Sequence, residues 1–465
     1  MRLPKPLENA HDWLRYDLRA RFDRRLLIGG GIAAVAIVAI VVVTVLSGED
    51  EQTSRNTRVV TVPVRSDDPR EAPVGTLGFP LVATRNTTRV SGPDPIADAA
   101  ATALATHPPA PGAEPIEAAV MVGEGDWQAG IAASVLAGPP LRAPLLIGER
   151  GGVPESTALA LAQLEPRGGT SPADVGVYLV GETRAPSDLN AEQLKGSSPA
   201  ELAAAIDELR QRLLKTEPAH IVIASLDRAP YAMPAASWAA RSGDPVLFSG
   251  RDEVPAATLE ALRRHEGVPV YVLGPESVIS EQARREIERL SPGAQRIGAE
   301  GPVANAIAFA RFSDPTFGWN INDPGHGMVL ASSARPLDAA AAASLSASGK
   351  WGPLLITDTP DRLPPELRGF MLDLKPGYED DPTRAVYNHI WLIGDASAIG
   401  ASVQAELDDL AELAQVGVGE TGQPGTGTAA PGQHAEPQPQ QQGGTGRSGA
   451  RGQQGAGGQG GGGNP

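Results

Sequence analysis

One block of sequence occurs three times in this chain, and that repetition constrains the fold more than any other feature. The clearest copy is 245–280, PVLFSGRDEVPAATLEALRRHEGVPVYVLGPESVIS. It reads as a buried strand, a loop, an amphipathic helix, a second buried strand ending in glycine, and the start of another helix. The copy at 144–188 contains PLLIGERGGVPESTALALAQL and then VYLVGETRAPSD. The copy at 353–401 contains PLLITDTPDRLPPELRGFMLDL and then IWLIGDASAIGA.

Two further elements recur in order. RVSGPDPIADAAA from Arg89 matches RIGAEGPVANAIA from Arg296, with arginine, proline and apolar positions in register. A degenerate version begins at Leu194, LKGSSPAELAAAI. Each places a proline-bearing turn before an alanine-rich helix. A short apolar strand and a second alanine-rich helix precede each Pro-Leu-Leu or Pro-Val-Leu strand. The strands are continuous apolar runs that do not alternate, as expected of strands buried on both faces, and the intervening helices imply parallel pairing. The sequence therefore predicts α/β architecture: three tandem Rossmann-like or flavodoxin-like parallel-sheet repeats, at 85–193, 194–293 and 294–416.

The flanks are of other kinds. Segment 1–25 is polar and arginine-rich, and 26–46, LLIGGGIAAVAIVAIVVVTVL, carries no charge. At about 1.5 Å per residue it reaches roughly 30 Å, the thickness of a bilayer core. The arginines predict a single-pass helix with a cytoplasmic N-terminus and everything after it extracytoplasmic. Residues 47–84 read as a linker. Residues 417–465 hold no aromatic, leucine or isoleucine and read as disordered. Asn86-Thr87-Thr88 matches a glycosylation sequon, which in a bacterial chain reads as chance. The net charge of −16 argues against nucleic acid. Absence of cysteine excludes disulfides and thiolate chemistry.

The Pro-[Leu/Val]-Leu strand, the "Val-Pro-x-x-Thr" or "Leu-Pro" helix start, the "Val-Tyr-Val-Leu-Gly" strand and the "Arg-Ile-x-Gly" boundary together resemble cell wall-binding repeat 2. This is the triple-repeat module of Gram-positive surface proteins. The resemblance implies three repeats about a pseudo-threefold axis, binding anionic secondary wall polymers non-covalently. It assigns anchoring to the motifs opening at Pro144, Pro245 and Pro353. The family's Pro-Asp-Ala-Leu-like helix start survives only in the third copy, as Pro336-Leu337-Asp338-Ala339. Asp338 is therefore the polymer-binding candidate, with Arg89 and Arg296 as candidate cationic contacts.

Catalytic patterns are missing. The glycines at 123 and 125 do not complete a dinucleotide fingerprint, and they read as a strand-to-helix turn. Of seven histidines, none pairs at ligand spacing, and His326 in Pro-Gly-His-Gly is the best catalytic candidate. Asp395 and Ser397 read as a helix cap. The sequence calls for no cofactor and no metal. It predicts a non-enzymatic, membrane-anchored protein whose partner is wall polymer or peptidoglycan. Two other readings stay open: an envelope scaffold that docks a protein, and a wall hydrolase, which would need a cleft with two close carboxylates of perturbed pKa.

Overall fold

The computed structural model describes residues 81–90, 92–109, 115–169, 174–349 and 351–416. The segment 1–25 expected to be cytoplasmic, the expected membrane helix 26–46, nearly all of the expected linker 47–84 and the tail 417–465 lie outside the described residues. Among the described residues no helix is long and apolar enough to cross a membrane.

The described chain opens with a hairpin of β1 (Leu81–Ala83) and β2 (Thr87–Val90), then helix α1 (Pro95–Thr106). The first unit follows as β3 (Ala119–Gly123), α2 (Trp127–Ala133), β4 (Leu145–Gly148), α3 (Glu155–Leu164), β5 (Val177–Val180) and β6 (Ala191–Gln193). Helix α4 (Pro199–Leu214) leads to the second unit: β7 (Ile221–Ser225), α5 (Ala229–Ala232), α6 (Pro234–Ser242), β8 (Val246–Ser249), α7 (Ala256–Arg264), β9 (Val270–Leu273), α8 (Glu281–Glu288) and β10 (Gln295–Ile297). Helix α9 (Pro302–Arg311) leads to the third: β11 (Gly327–Ser332), α10 (Asp338–Ala347), β12 (Trp351–Thr357), α11 (Pro365–Asp373), β13 (Gly377–Tyr378), β14 (His389–Ile393), α12 (Ala401–Leu410) and β15 (Ala414–Gln415).

The apolar runs become the inner strands, and most of their side chains are buried. Three sheets share one order: β4-β3-β5-β6, β8-β7-β9-β10 and β12-β11-β14-β2. Pairing within each is parallel, and β1 adds an antiparallel edge to the third. The fourth strand of the third sheet is thus β2, from the other end of the described chain. Strand β2 lies within the segment 85–193 yet completes the sheet of 294–416, so the three segments do not each close a sheet. Leu81–Ala83, at the described end of the linker, forms a short strand.

Each connecting helix then crosses to the next unit. Helix α1 covers β4 and α3, α4 covers β8 and α7, and α9 covers β12 and α11. Proline in the first turn and caps from Asp94 and Ser198 fix where α1 and α4 start. At the centre, α2 with its 3-10 extension Ser134–Ala137, α6 and α10 pack on one another. Helix α10, DAAAAASLSA, is buried almost all round, as a helix without a polar face must be. Its alanines permit close approach: a Cβ on Gly130 of α2 would stand 3.0 Å from that of Ala340.

Candidate functional site

Open parallel sheets hold ligands beyond the carboxyl ends of their strands. Strands β5, β9 and β14 each finish at a glycine with positive φ: Gly181 at 75°, Gly274 at 132° and Gly394 at 107°. A side chain at Gly181 would collide with Asp126, whose Oδ2 accepts from the Glu182 amide at 3.0 Å. From the strand registers, Asp126, Arg228 and Arg335 occupy one equivalent position. Ala129, Tyr231 and Asp338 occupy another. The facing position on the connecting helix is Leu202, Asn305 or Asp98.

The three crevices are therefore built from one backbone and three chemistries. In the second, the Tyr231 hydroxyl accepts from the Gly301 amide at 3.0 Å, and Asn305 Nδ2 donates to the Tyr231 carbonyl at 3.3 Å. In the third, Arg335 is ion-paired to Asp98, lies 3.0 Å from Asp338 Oδ2 and stands 3.7 Å from Asp395. Asp98 also accepts from the Gly92 amide at 2.7 Å. Both Asp98 and Asp338 are fully buried, and neither oxygen of Asp338 accepts a hydrogen bond. One guanidinium faces three carboxylates in a low-dielectric site. Burial pushes Asp98 up to about 7 although Arg335 pulls against it. Burial, and then the Asp98 charge, hold Asp338 well above the usual carboxylate range.

Asp338 thus faces the protein interior. Arg89 is also buried, donating to Gln404 Oε1 at 2.8 Å and to the carbonyls of Gly394 and Asp395 at 2.8 and 3.0 Å. Arg296, half-buried, donates to the Gly274 carbonyl at 2.8 Å. Both arginines satisfy the carbonyl of a strand-end glycine. Gln193 does the same in the first unit, donating to the Gly181 carbonyl at 3.2 Å. It pairs with Leu179 as Arg89 pairs with Leu392 and Arg296 with Val272. The degenerate copy is therefore in register from Gln193, one residue before Leu194, and six residues before Pro199 as Arg89 is before Pro95. Pro144, Pro245 and Pro353 are buried at the opposite ends of the sheets. The carbonyls of Pro144 and Pro245 accept from Val120 and Val222 and begin the parallel pairing.

The remaining candidates find structural partners. His326 faces Asp323 at 3.1 Å. Asp395 Oδ1 accepts from the Ser397 amide and hydroxyl at 3.0 and 2.6 Å, capping the turn. Asn86 is buried and its amide donates to the Asp408 carbonyl at 3.0 Å, so the sequon carries no accessible acceptor. Among the described residues no group of acidic or histidine side chains is arranged to hold a metal. Asp98, Arg335 and Gln193 escaped the sequence reading; the Arg335–Asp98 contact joins residues 237 apart.

Residues 193–284 match the family model Cell wall binding domain 2 (CWB2). The matched stretch starts at Gln193 and runs through α4, β7, β8 and β9 into α8, one connecting helix plus three of the four strands of the unit it covers. Among solved structures, Cwp6 from Clostridium difficile is similar with a TM-score of 0.56 at 18% identity, covering 75% of this chain and 51% of that one. Cwp8 from Clostridium difficile is similar with a TM-score of 0.53 at 18% identity, covering 70% and 52%. The chain spans about half the length of either protein, and the likeness is one of fold. A search of curated proteins finds no match.

Proposed function

We propose that this protein binds the cell wall non-covalently through its three-unit body, held at the membrane by the apolar segment 26–46 and facing outward. The observation that carries the reading is the family match over the second unit, set in a ring whose other two units repeat its strand order. The ligand is wall polymer or peptidoglycan, and the role is attachment without catalysis. A hydrolase would need a reachable carboxylate pair. Asp98 and Asp338 make such a pair, but both are fully buried and bound to Arg335, leaving no room for a glycosidic bond between them. Net acidity is compatible with an anionic polymer because charge is screened beyond about 8 Å at physiological salt.

The test is co-sedimentation of the full chain, in mild non-ionic detergent, with purified Gram-positive walls before and after their secondary polymers are stripped. Binding lost on stripping identifies the secondary polymer, and equal binding identifies peptidoglycan. Failure to pellet with either wall overturns the reading and puts the protein-docking scaffold first.

A further inference from the structure

The pseudo-threefold arrangement makes three junctions between units, and the chain treats them differently. Each junction lies near the amino ends of the strands. It is bordered by the last turn of a connecting helix, the central helices, and one aromatic side chain three residues before a strand-end glycine. That aromatic is Tyr178, Tyr271 or Trp391.

Two junctions are filled from within. Between the first and second units, Tyr178 is fully buried. The space left beside Pro139 and Pro140 is only about 10 Å³, walled by Arg210, Leu213 and Leu214 of α4. Between the second and third units, the loop after α9 inserts its own rings. Phe317 stacks on Tyr271 with centroids 3.7 Å apart and planes 7° from parallel. Trp319 packs edge-on against Trp238 at 5.5 Å and lies under the Arg241 guanidinium at 4.8 Å.

Among the described residues, nothing fills the junction between the third and first units. A groove of about 770 Å³ runs there, in the range of small-ligand sites. Trp351 and Trp391 line it with half-buried rings, 5.8 Å apart at 66°. No described residue accepts from the indole N–H of Trp391. His107, Glu117 and Arg142 add polar groups, the last two exposed. Burial lowers the His107 pKa, with the Arg142 charge adding to the fall. Its Nδ1 lies 3.0 Å from the Thr106 hydroxyl, so the ring is held at the edge of the groove.

Flat apolar faces edged by neutral and charged hydrogen-bonding groups fit a sugar ring, which has apolar C–H faces and a polar rim. The filled junction shows what this position accommodates: a planar group laid on the aromatic side chain, as Phe317 lies on Tyr271. We propose that the open junction is a saccharide-binding groove, in which a wall-glycan unit takes the place that the chain's own rings fill elsewhere. Trp391 and Trp351 supply the platform, His107 closes one edge, and the exposed Glu117 and Arg142 bond the hydroxyls. One Arg against one Glu among the lining residues makes the groove near-neutral, so recognition rests on stacking and hydroxyl bonding more than on polymer charge. This rests on the wall-binding reading and names its subsite.

The test uses the full chain in detergent, walls boiled and protease-treated to remove protein, and the soluble polysaccharide released from those walls by mild acid. Trp351→Ala and Arg142→Ala probe the groove, Trp391→Phe keeps a ring there, and Arg289→Ala on α8 is the control cation. Trp351→Ala and Arg142→Ala should bind walls about tenfold more weakly at an unchanged melting temperature. Arg289→Ala should stay near wild type, and Trp391→Phe, which keeps a smaller ring on the platform, should fall between wild type and Trp351→Ala. The polysaccharide should change the tryptophan fluorescence of the wild type and act more weakly on Trp351→Ala. Equal wall binding by all folded variants overturns the groove and leaves wall binding standing. Binding that disappears when wall protein is removed assigns the groove to a protein and overturns the saccharide. Wild type that binds no wall overturns the functional reading, and the groove with it.

Discussion

Asp338 and Asp98 show how a residue singled out by sequence can do a different job from the one expected. Two buried carboxylates share Arg335 with Asp395, and the site is short of positive charge. Keeping both Asp98 and Asp338 ionised is costly, which is why both are pushed upward. A carboxyl whose folded pKa exceeds its unfolded value of about 4 makes the folded state bind more protons between the two values. Its contribution to stability therefore falls as pH rises from about 4 through the folded pKa. His265 complicates a simple melting profile. Burial would lower it, but hydrogen bonds to Asp207 and Glu217 raise it, so its contribution is lost as pH rises above the folded value. His107 and His389, both lowered by burial, act in the opposite sense. The informative quantity is thus the difference between wild type and Asp338→Asn. Near pH 4 the two proteins should melt at nearly the same temperature. As pH rises to 8 the variant should come to melt several degrees higher, because the unfolded wild type ionises a carboxyl that the folded state disfavours as a charge. A variant that melts lower at both pH values would show Asp338 to be an ionised partner of Arg335 instead.

At the scale of elements, the strands of the three sheets are not equally legible. Runs such as Ile221–Ser225 and Val246–Ser249 announce themselves because both faces are buried and every residue before the closing serine is apolar. The fourth strands are another matter. Ala191–Gln193 and Gln295–Ile297 have three residues each, and the first is half to fully exposed. Nothing in their composition demands a sheet, and only the parallel partner puts them there. The 312–321 stretch is equally silent, since Phe312, Phe317 and Trp319 fall between α9 and β11 in no regular element. Their role depends on Tyr271 and Trp238, which come from another unit. Phe317 is the pivot, touching Tyr271, Trp238 and His220. Phe317→Ala should cost about 3–5 kcal/mol, the usual range for deleting a buried ring, because the surrounding aromatics cannot all collapse into the gap. Thermal or urea unfolding will read this directly. A loss under about 1 kcal/mol would mean that the stack is decorative and that the junction does not need filling.

At the scale of the molecule, the decisive contact is the one between β2 and β14. It pairs Thr87–Val90 with Ile390–Ile393, across some three hundred residues, and no local pattern could have announced it. The candidate site was legible to a similar degree: Asp338 stood out by motif, whereas Asp98 and Arg335 meet only because the ring closes. Closure is reinforced at its edge. The Asp408 carboxylate accepts from the Thr84 hydroxyl at 2.6 Å and the Asn86 amide at 2.7 Å, and Arg89 spans to Gln404. If the ring is a single cooperative body, removing its first strand should damage the third unit, which is the one most distant in sequence. A chain starting at residue 92 retains α1 and its Asp94 cap but leaves β14 as a bare apolar edge, an open invitation to pairing with another chain. A chain starting at residue 81 keeps the closure. Light scattering and thermal melting should find the chain from 81 monomeric and as stable as the full protein. The chain from 92 should melt well below it or associate through the exposed edge. Adding the missing strand as a peptide spanning 81–91 should partly restore both properties. Should the chain from 92 stay monomeric with an unchanged melting temperature, the three units would be independent, and the ring a consequence of their contact with no part in holding them folded.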